Sequence, residues 1–291
     1  MSTETPKISA SLINEALLEI SIGNSLKDSP FFRNNINLLN SKFLYSYTDE
    51  EIEEFIRCKN NISRFASHIS LNKGKISLRS YQENLLTSFS NYNFNINMTC
   101  RQSGMSFILA IHIVNSIVFN TDHTILLISN NLDSSIELIN KIKQILESLP
   151  YFLKPQIVSM DKTSIKFNNG CRIISKAASP DSIAGYRVHQ FIIDNAAYIT
   201  PKVFEKMTQI AFPSMFAVED SKVIINSTPN GYNHFYKLYT DAISKKNSFN
   251  PTRVDWFDVP GRDEDWMKRE IANLGSIEAF NQEYGNCFIS K

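Results

Sequence analysis

The stretch "NFNINMTCRQSGMSFILAIHIV", Asn93 to Val114, decides how the rest of the chain is read. Its first eight residues have the make-up of a strand. A short loop of small and polar residues follows, and an apolar helix begins directly after Gly104. That arrangement converges backbone N–H groups on one point, which is how a helix N-terminus holds a phosphate. Such loops usually place a lysine between the glycine and a small hydroxyl residue, for the outer phosphates and for magnesium respectively. Here Gly104 and Ser106 are present, but Met105 stands between them. Alone, the pattern fits an ordinary strand-to-helix turn at least as well.

Outward from the loop, strands and helices alternate. "HTILLISN" is an apolar strand. "LDSSIELINKIKQILESL" is an amphipathic helix with Ile136, Ile139, Ile142 and Leu146 along one side. "SIKFNNGCRIISKAA" predicts a hairpin turning at Asn169-Gly170. "HQFIIDNA" and "SKVIINSTPNG" are further strands, with the helix "PKVFEKMTQIAFPSMF" between them. Upstream, "TDEEIEEFIRCKNNISRFASHI" predicts a helix capped by Thr48 or Asp49, and "SLRSYQENLLTSFSNY" a second one. Apolar strands bounded by helices predict an α/β fold, a mostly parallel sheet flanked by helices with its site at the carboxyl ends of the strands. Residues 1 to 45, rich in Ser, Asn and Thr with a short helix at "SLINEALLEI", read as a loosely attached leader. The rest reads as one domain, with a core from about 76 to 240 and a small C-terminal subdomain from about 241 to 291.

Composition narrows the function. The chain has 291 residues, 43% hydrophobic and 20% charged, enough for a large buried core. Thirty basic and 29 acidic residues leave a net charge of +1, so any nucleic-acid contact is confined to a local patch. Cys58, Cys100, Cys171 and Cys287 form no C-x-x-C pair and read as reduced thiols. No apolar run approaches the length of a membrane span.

Two further segments carry chemistry. "FIIDN", Phe191 to Asn195, is an apolar strand ending in a carboxylate, which places Asp194 to hold a magnesium hydration shell. Asn195 stands next to it, able to orient a water but unable to take its proton. "NSTPNG", Asn226 to Gly231, follows another apolar strand; Ser227, Thr228 and Asn230 are candidates to sense a γ-phosphate, although Pro-Asn-Gly is also a plain turn.

In this order and spacing the segments resemble the N-terminal ATPase domain of the large terminase subunit, the DNA-packaging motor of tailed bacteriophages, of the T-even type. The likeness runs from "EEIEEFIRCKNN" through "SYQENLL", "CRQSGMSF", "ESLPYFLKPQIV", "NNGCRIISKAASPDSIAGYRVHQFIIDNAAYI" and "STPNG" to "SIEAFNQEYGNCF". It implies a P-loop NTPase of the recombinase-like kind with small helical subdomains at its ends. It further implies that Tyr81 and Gln82 contact an adenine, and that Arg101, Gln102, Ser103, Gly104, Met105 and Ser106 surround the phosphates. Ser106 and Asp194 would then hold Mg2+, and Ser227, Thr228, Pro229, Asn230 and Gly231 would couple phosphate loss to movement. ATP is the implied cofactor. The implied partners are double-stranded DNA, portal protein and small terminase subunit, within a homo- or hetero-oligomeric ring in the cytoplasm of a bacterial host, with no membrane.

The departures from the family pattern fall on charge. The lysine of the loop is Met105, the glutamate after the strand carboxylate is Asn195, and an arginine before a later glycine is Ala184, ahead of Gly185. Arg101 at the loop's start is the remaining basic group expected to reach a γ-phosphate, while Arg187 reads as a surface charge. The family's nuclease half, with its carboxylate cluster, is expected to be absent after "GNCFISK". Three readings stand at this point. They are a packaging ATPase with impaired or lost hydrolysis, a non-catalytic relative that binds motor, portal or DNA as a regulator, and a helicase-like protein, for which a second recombinase-like domain is missing. His112 on the apolar helix reads as structural, His123, His189 and His234 have no metal-ligand spacing, and Trp256 and Trp266 read as packing residues.

Overall fold

The computed structural model describes residues 47–71, 74–183, 185–216 and 220–290. The leader with its "SLINEALLEI" helix, and Ala184, lie outside the described residues. Near the start, α1 (Asp49–Asn60) carries a complete capping box between Thr48 and Glu51, with three acidic residues in its first turn. It is joined by the short α2 (Ile62–Ala66) through Asn61, so the single helix expected here is two. Glu54 on α1 binds them together, accepting from Arg64 Nε at 2.6 Å and contacting His68 Nε2 at 2.7 Å. The bond to Arg64 leads in holding the Glu54 carboxyl down at about 2. Cys58 Sγ lies close by, but Glu54 spends its oxygens on Arg64 and His68, so this cluster of potential metal donors is an ion-pair brace.

A minimal hairpin, β1 (Ser70–Leu71) with β2 (Gly74–Lys75), leads into α3 (Ser80–Asn91). The central sheet follows. Its strands are β3 (Phe94–Thr99), β4 (Thr124–Ser129), β5 (Ile157–Met160), β6 (Ser164–Phe167), β7 (Arg172–Ala177), β8 (Gln190–Asp194), β9 (Lys222–Ser227) and β10 (Asn250–Val254), in the spatial order β10-β3-β9-β8-β4-β7-β6-β5. The six strands from β10 to β7 are parallel, and β6 and β5 continue as an antiparallel meander. The hairpin at Asn169-Gly170 is the β6–β7 turn, with Gly170 at φ +78°. Two strands of this sheet were not foreseen. β5 is exposed along its whole length and lacks the apolar alternation that marks a strand. β10 contains Pro251 and only one buried residue, yet it pairs with β3, so part of the stretch read as a C-terminal subdomain is the edge of the main sheet.

Helices cover both faces. On one side lie α4 (Met105–Phe119) and α5 (Leu132–Ser148); on the other lie α6 (Pro201–Phe216) and α7 (His234–Ile243). β4 and β8 are buried at every position, as a sheet packed on both faces requires. α4 is buried nearly all round, which is why its sequence shows no polar face. In α5 the buried side is Ser135, Leu138, Ile139, Ile142, Ile145 and Leu146; Ile136 is half-buried at its flank. α8 (Glu264–Leu274) and α9 (Ile277–Glu283) close the chain around an aromatic cluster. There Trp256 and Trp266 stack at 5.8 Å, and Phe280 and Tyr284 meet their edges.

His112 is structural. It is 4% exposed in the middle of α4, its Nε2 meets Gln190 Oε1 at 3.2 Å and Phe89 abuts its ring. Burial first, and then Lys222, push its pKa down to about 3. The folded protein therefore keeps it neutral where an unfolded chain would protonate it. Stability tied to His112 is complete above about pH 6.5 and falls by about 1.4 kcal/mol per pH unit as the solution is acidified towards the folded value. Urea denaturation of wild type and His112→Gln between pH 7.5 and 4.5 checks this: the wild type is expected to show the steeper acid loss. Parallel curves would assign the acid sensitivity to other groups.

Candidate functional site

The carboxyl ends of β3, β9, β8 and β4 lie side by side, and the loop after β3 leads into α4. β9 stands between β3 and β8, so the "NSTPNG" strand separates the loop from the strand carboxylate. Three of the segments singled out in the sequence therefore meet at one edge of the sheet.

Gly104 makes the turn into α4 in the left-handed region, at φ +82°. The preceding Gln102 is also left-handed, at φ +58°. A Cβ at Gly104 would lie 2.9 Å from Gln82 Nε2, so the glycine serves both conformation and space. Gly104→Ala is expected to lose about 1–2 kcal/mol of stability from the backbone alone and to displace Gln82. Thermal melting beside that of Ser103→Ala checks it; equal melting temperatures would show that the loop absorbs the change.

The loop is fastened from two directions. Tyr81 donates to the Ser103 carbonyl at 2.7 Å, and Gln82 Nε2 reaches the same oxygen at 3.3 Å. Arg79 in turn donates to the Tyr81 hydroxyl. The two residues expected at the adenine thus lie against the loop's own backbone. From the other side, Arg262 donates to the carbonyls of Arg101 at 3.1 Å and Gln102 at 3.3 Å. Its guanidinium lies over Trp266 at 4.7 Å and Tyr284 at 5.3 Å. Arg101 pairs with Glu283 at 2.6 Å, and its backbone N–H donates to the Glu283 carbonyl. Arg262 and Glu283 were missed in the sequence. They lie far along the chain, and the only hint was the aromatic density around Trp266 and Tyr284.

Met105 is 6% exposed and packs in the core between the sheet and α4. Between Gly104 and Ser106 it behaves as a core residue. Ser106 Oγ lies 3.4 Å from Asp194 Oδ2. Asp194 is 6% exposed and accepts at Oδ1 from Asn226 Nδ2 at 2.8 Å and from the Asn195 N–H at 3.1 Å. Asn226 Oδ1 in turn accepts from Thr99. Burial is the leading influence on Asp194 and raises its pKa, against the lowering effect of these bonds. Asn195 follows in the left-handed region at φ +56°, which asparagine tolerates. Arg187 is exposed.

The turn after β9 is sewn to the segment after β8. Ser227 Oγ accepts from the Ala197 N–H at 3.0 Å, and Thr228 meets the Tyr198 hydroxyl at 3.0 Å. Asn230 and Asn233 both donate to the Ala197 carbonyl, and His234 Nε2 reaches the Ala196 carbonyl at 2.8 Å. Pro229 is buried, and Gly231 is left-handed at φ +72°. These bonds join the backbone beside Asn195 to the N-terminus of α7, which Asn233 caps. His123 and His189 stack on each other near the opposite ends of β4 and β8, away from this site.

Comparison with known proteins places the fold. The fold is similar to a mutant of the large terminase ATPase domain of Thermus phage P74-26, at 20% identity with TM-score 0.58, over 73% of this chain and 95% of that one. It is similar to the large terminase of bacteriophage HK97, at 12% identity with TM-score 0.65, over 79% of this chain and 55% of that one. A thermophilic bacteriophage's large terminase solved with ATP-gamma-S matches at 12% identity with TM-score 0.58, over 73% of this chain and 53% of that one. The chain thus spans about half the length of the latter two proteins. The family model described as "Terminase large subunit, T4likevirus-type, N-terminal" matches residues 96–291, and the chain belongs to that family.

Proposed function

We propose that this chain is the nucleotide-binding ATPase-type domain of a viral DNA-packaging motor in which ATP hydrolysis is impaired or lost. The observation that carries the reading is Met105: the side chain at the lysine's position is an apolar group buried in the core. Asn195 and Ala184 add two more neutral residues where the family pattern has charge. Arg101, the basic side chain expected to approach a γ-phosphate, is engaged by Glu283.

What remains is suited to binding. The N-terminus of α4 offers backbone N–H groups to phosphates, and Tyr81 and Gln82 border the loop where a base would lie. Asp194 and Ser106 are oxygen donors of the kind a hard cation takes, and Asp194, buried with a raised pKa and no cationic hydrogen-bond partner, fits Mg2+. Bound there, the ion would supply positive charge to the phosphates. Asn195 would orient a water without accepting its proton. Loss of a general base commonly costs about 10²- to 10⁴-fold in rate, and removal of the lysine's charge withdraws electrostatic stabilisation as well. The loop after β9, tied to residues 196–198, would pass a change at the phosphates to α7. The partners that follow are double-stranded DNA, portal protein, small terminase subunit and other motor subunits in the host cytoplasm. The same neutral site suits a non-catalytic subunit that regulates an active ring.

The deciding experiment measures magnesium-ATP binding and turnover in the purified protein, with and without linear DNA, beside an Asp194→Ala, Arg101→Ala double variant. Binding that needs Asp194, with turnover equal to the double variant's, is the expected result. Turnover clearly above that variant overturns the loss of hydrolysis, and absence of binding overturns the nucleotide site.

A further inference from the structure

A single guanidinium grips the carbonyl side of the loop between β3 and α4. Arg262 Nη1 donates to the Arg101 carbonyl at 3.1 Å and to Cys100 Sγ at 3.5 Å, and Nη2 donates to the Gln102 carbonyl at 3.3 Å. Two aromatic rings hold the guanidinium in place, Trp266 at 4.7 Å and Tyr284 at 5.3 Å. One planar fork thus fastens two successive peptide groups, those on either side of the Gln102 Cα.

The consequence falls on the opposite side of those peptides. A trans peptide is planar, and its N–H points away from its C=O. Holding the carbonyls of Arg101 and Gln102 against Arg262 therefore turns the N–H groups of Gln102 and Ser103 away from it. Those two, together with the N–H groups of Gly104, Met105 and Ser106 at the start of α4, have no acceptor among the described residues. A run of free N–H groups leading into a helix is what an anion takes. Gln102 stands at φ +58°, a conformation that a residue with a Cβ keeps only when its surroundings enforce it. Arg262 enforces it from both flanking peptides. The guanidinium is spent on carbonyls, so it acts on a ligand through the loop and does not face the ligand itself.

We propose that Arg262 is a positioning residue for the phosphates: it fixes the backbone at Gln102 so that the N–H groups of Gln102 and Ser103 are presented before any ligand arrives. The inference rests on the reading of this loop as a nucleotide site, and it assigns part of that site's construction to the α8–α9 subdomain. A loop ordered in advance binds more tightly because its ordering is not charged to the binding step. Fixing the backbone of one residue corresponds to about tenfold in affinity.

The test uses the full chain and magnesium ATP-gamma-S. Affinity is measured by isothermal titration calorimetry for wild type, Arg262→Gln, Arg262→Lys and Ser276→Ala, at a temperature where melting curves show each to be folded. Arg262→Gln is expected to weaken binding by about tenfold. Arg262→Lys keeps a positive charge but has no planar fork to span two carbonyls, and is expected to lose as much. Ser276→Ala removes the N-cap of α9, where Oγ accepts from the Ala279 N–H at 3.0 Å, and so loosens the same subdomain without touching the loop. It is expected to melt lower and to keep wild-type affinity. Wild-type affinity in Arg262→Gln overturns the inference. Full recovery in Arg262→Lys does so too, because charge and not orientation would then be the cause, and so does an equal loss in Ser276→Ala, which would mark general packing. Wild-type protein that does not bind magnesium ATP-gamma-S overturns the nucleotide-site reading itself, a result distinct from unchanged affinity in the variants.

Discussion

Met105→Lys is expected to destabilise the nucleotide-free protein and to tighten its grip on magnesium ATP-gamma-S. In the native chain the methionine is 6% exposed and packed with the core beneath α4. An ammonium left there would be buried without a partner, which proteins tolerate poorly. If the lysine turns out towards the loop instead, it leaves a gap in the core and stands at the positive end of α4, an unfavourable place for a cation by about 0.3–1 kcal/mol. Either outcome costs the empty protein, by about 1–3 kcal/mol in the range usual for a single disruptive change. Phosphates reverse the balance, because they give the ammonium a charged acceptor. Melting curves with and without nucleotide check both halves. The variant should melt below wild type alone, and the gap should close or invert as ligand rises, since ligand at a hundredfold its Kd adds about 2.7 kcal/mol. Equal melting and equal affinity would show that the position does not address the phosphates. Combining the change with Asn195→Glu and Ala184→Arg asks whether turnover rises once all three positions proposed above as neutral carry charge.

Much of this architecture was legible because it follows from period and punctuation. The apolar runs of β4 and β8, the helix after Gly104 and the Asn169-Gly170 hairpin are local signals, and the structure carries each of them. β5 and β10 were not legible, for different reasons. β5 is an exposed edge whose side chains answer to no core, and β10 is held by its ladder with β3 and has little buried surface of its own. The division of the first helix at Asn61 likewise reflects a cap, Asn61 accepting from the Arg64 N–H, inside a sequence whose apolar spacing continues across it.

The site divides in the same way. The meeting of Gly104, Ser106 and Asp194 was readable because they lie at or just after strand ends, where an α/β sheet gathers function, whereas the bond of Asn226 to Asp194 was not. The walls of the site were not readable either. Arg262 and Glu283 reach the loop from α8, α9 and the turn before them, and nothing in their local sequence announces a contact with residues 101 and 102. Ser129 was read only as part of the apolar strand "HTILLISN". Its register with Asp194 puts it at the same edge of the sheet. The tie between residues 196–198 and the turn after β9 was not read in the sequence, for it runs through backbone groups of Ala196 and Ala197.

Asp194→Asn is expected to raise the melting temperature of the nucleotide-free protein and to abolish its magnesium-dependent nucleotide binding. The amide fits the existing bonds. Its oxygen can accept from Asn226 Nδ2 and the Asn195 N–H, which both address Oδ1, and its nitrogen can donate to Ser106 Oγ beside the former Oδ2. No new polar atom is stranded, while the cost of burying a charge disappears. That cost has a defined pH dependence, because burial raises the Asp194 pKa above its unfolded value. Below the unfolded value, about 3.9, both states are protonated and the substitution gains nothing on this account. As pH rises through the folded pKa the native carboxylate must ionise in its buried place, and the wild type loses stability relative to the variant. Above that window the difference is constant, of the size usually gained when a functional site is relieved of strain, about 0.5–2 kcal/mol. Magnesium nucleotide should invert the order, since only the wild type retains the carboxylate to receive the ion. Denaturation of both proteins from pH 4 to 8 in EDTA, and again with magnesium ATP-gamma-S, separates the terms. A variant that melts below wild type in EDTA would mean that the Asp194 bonds outweigh its burial and that the carboxylate is kept for structure, whereas unchanged ligand-induced stabilisation would remove Asp194 from the cation's shell.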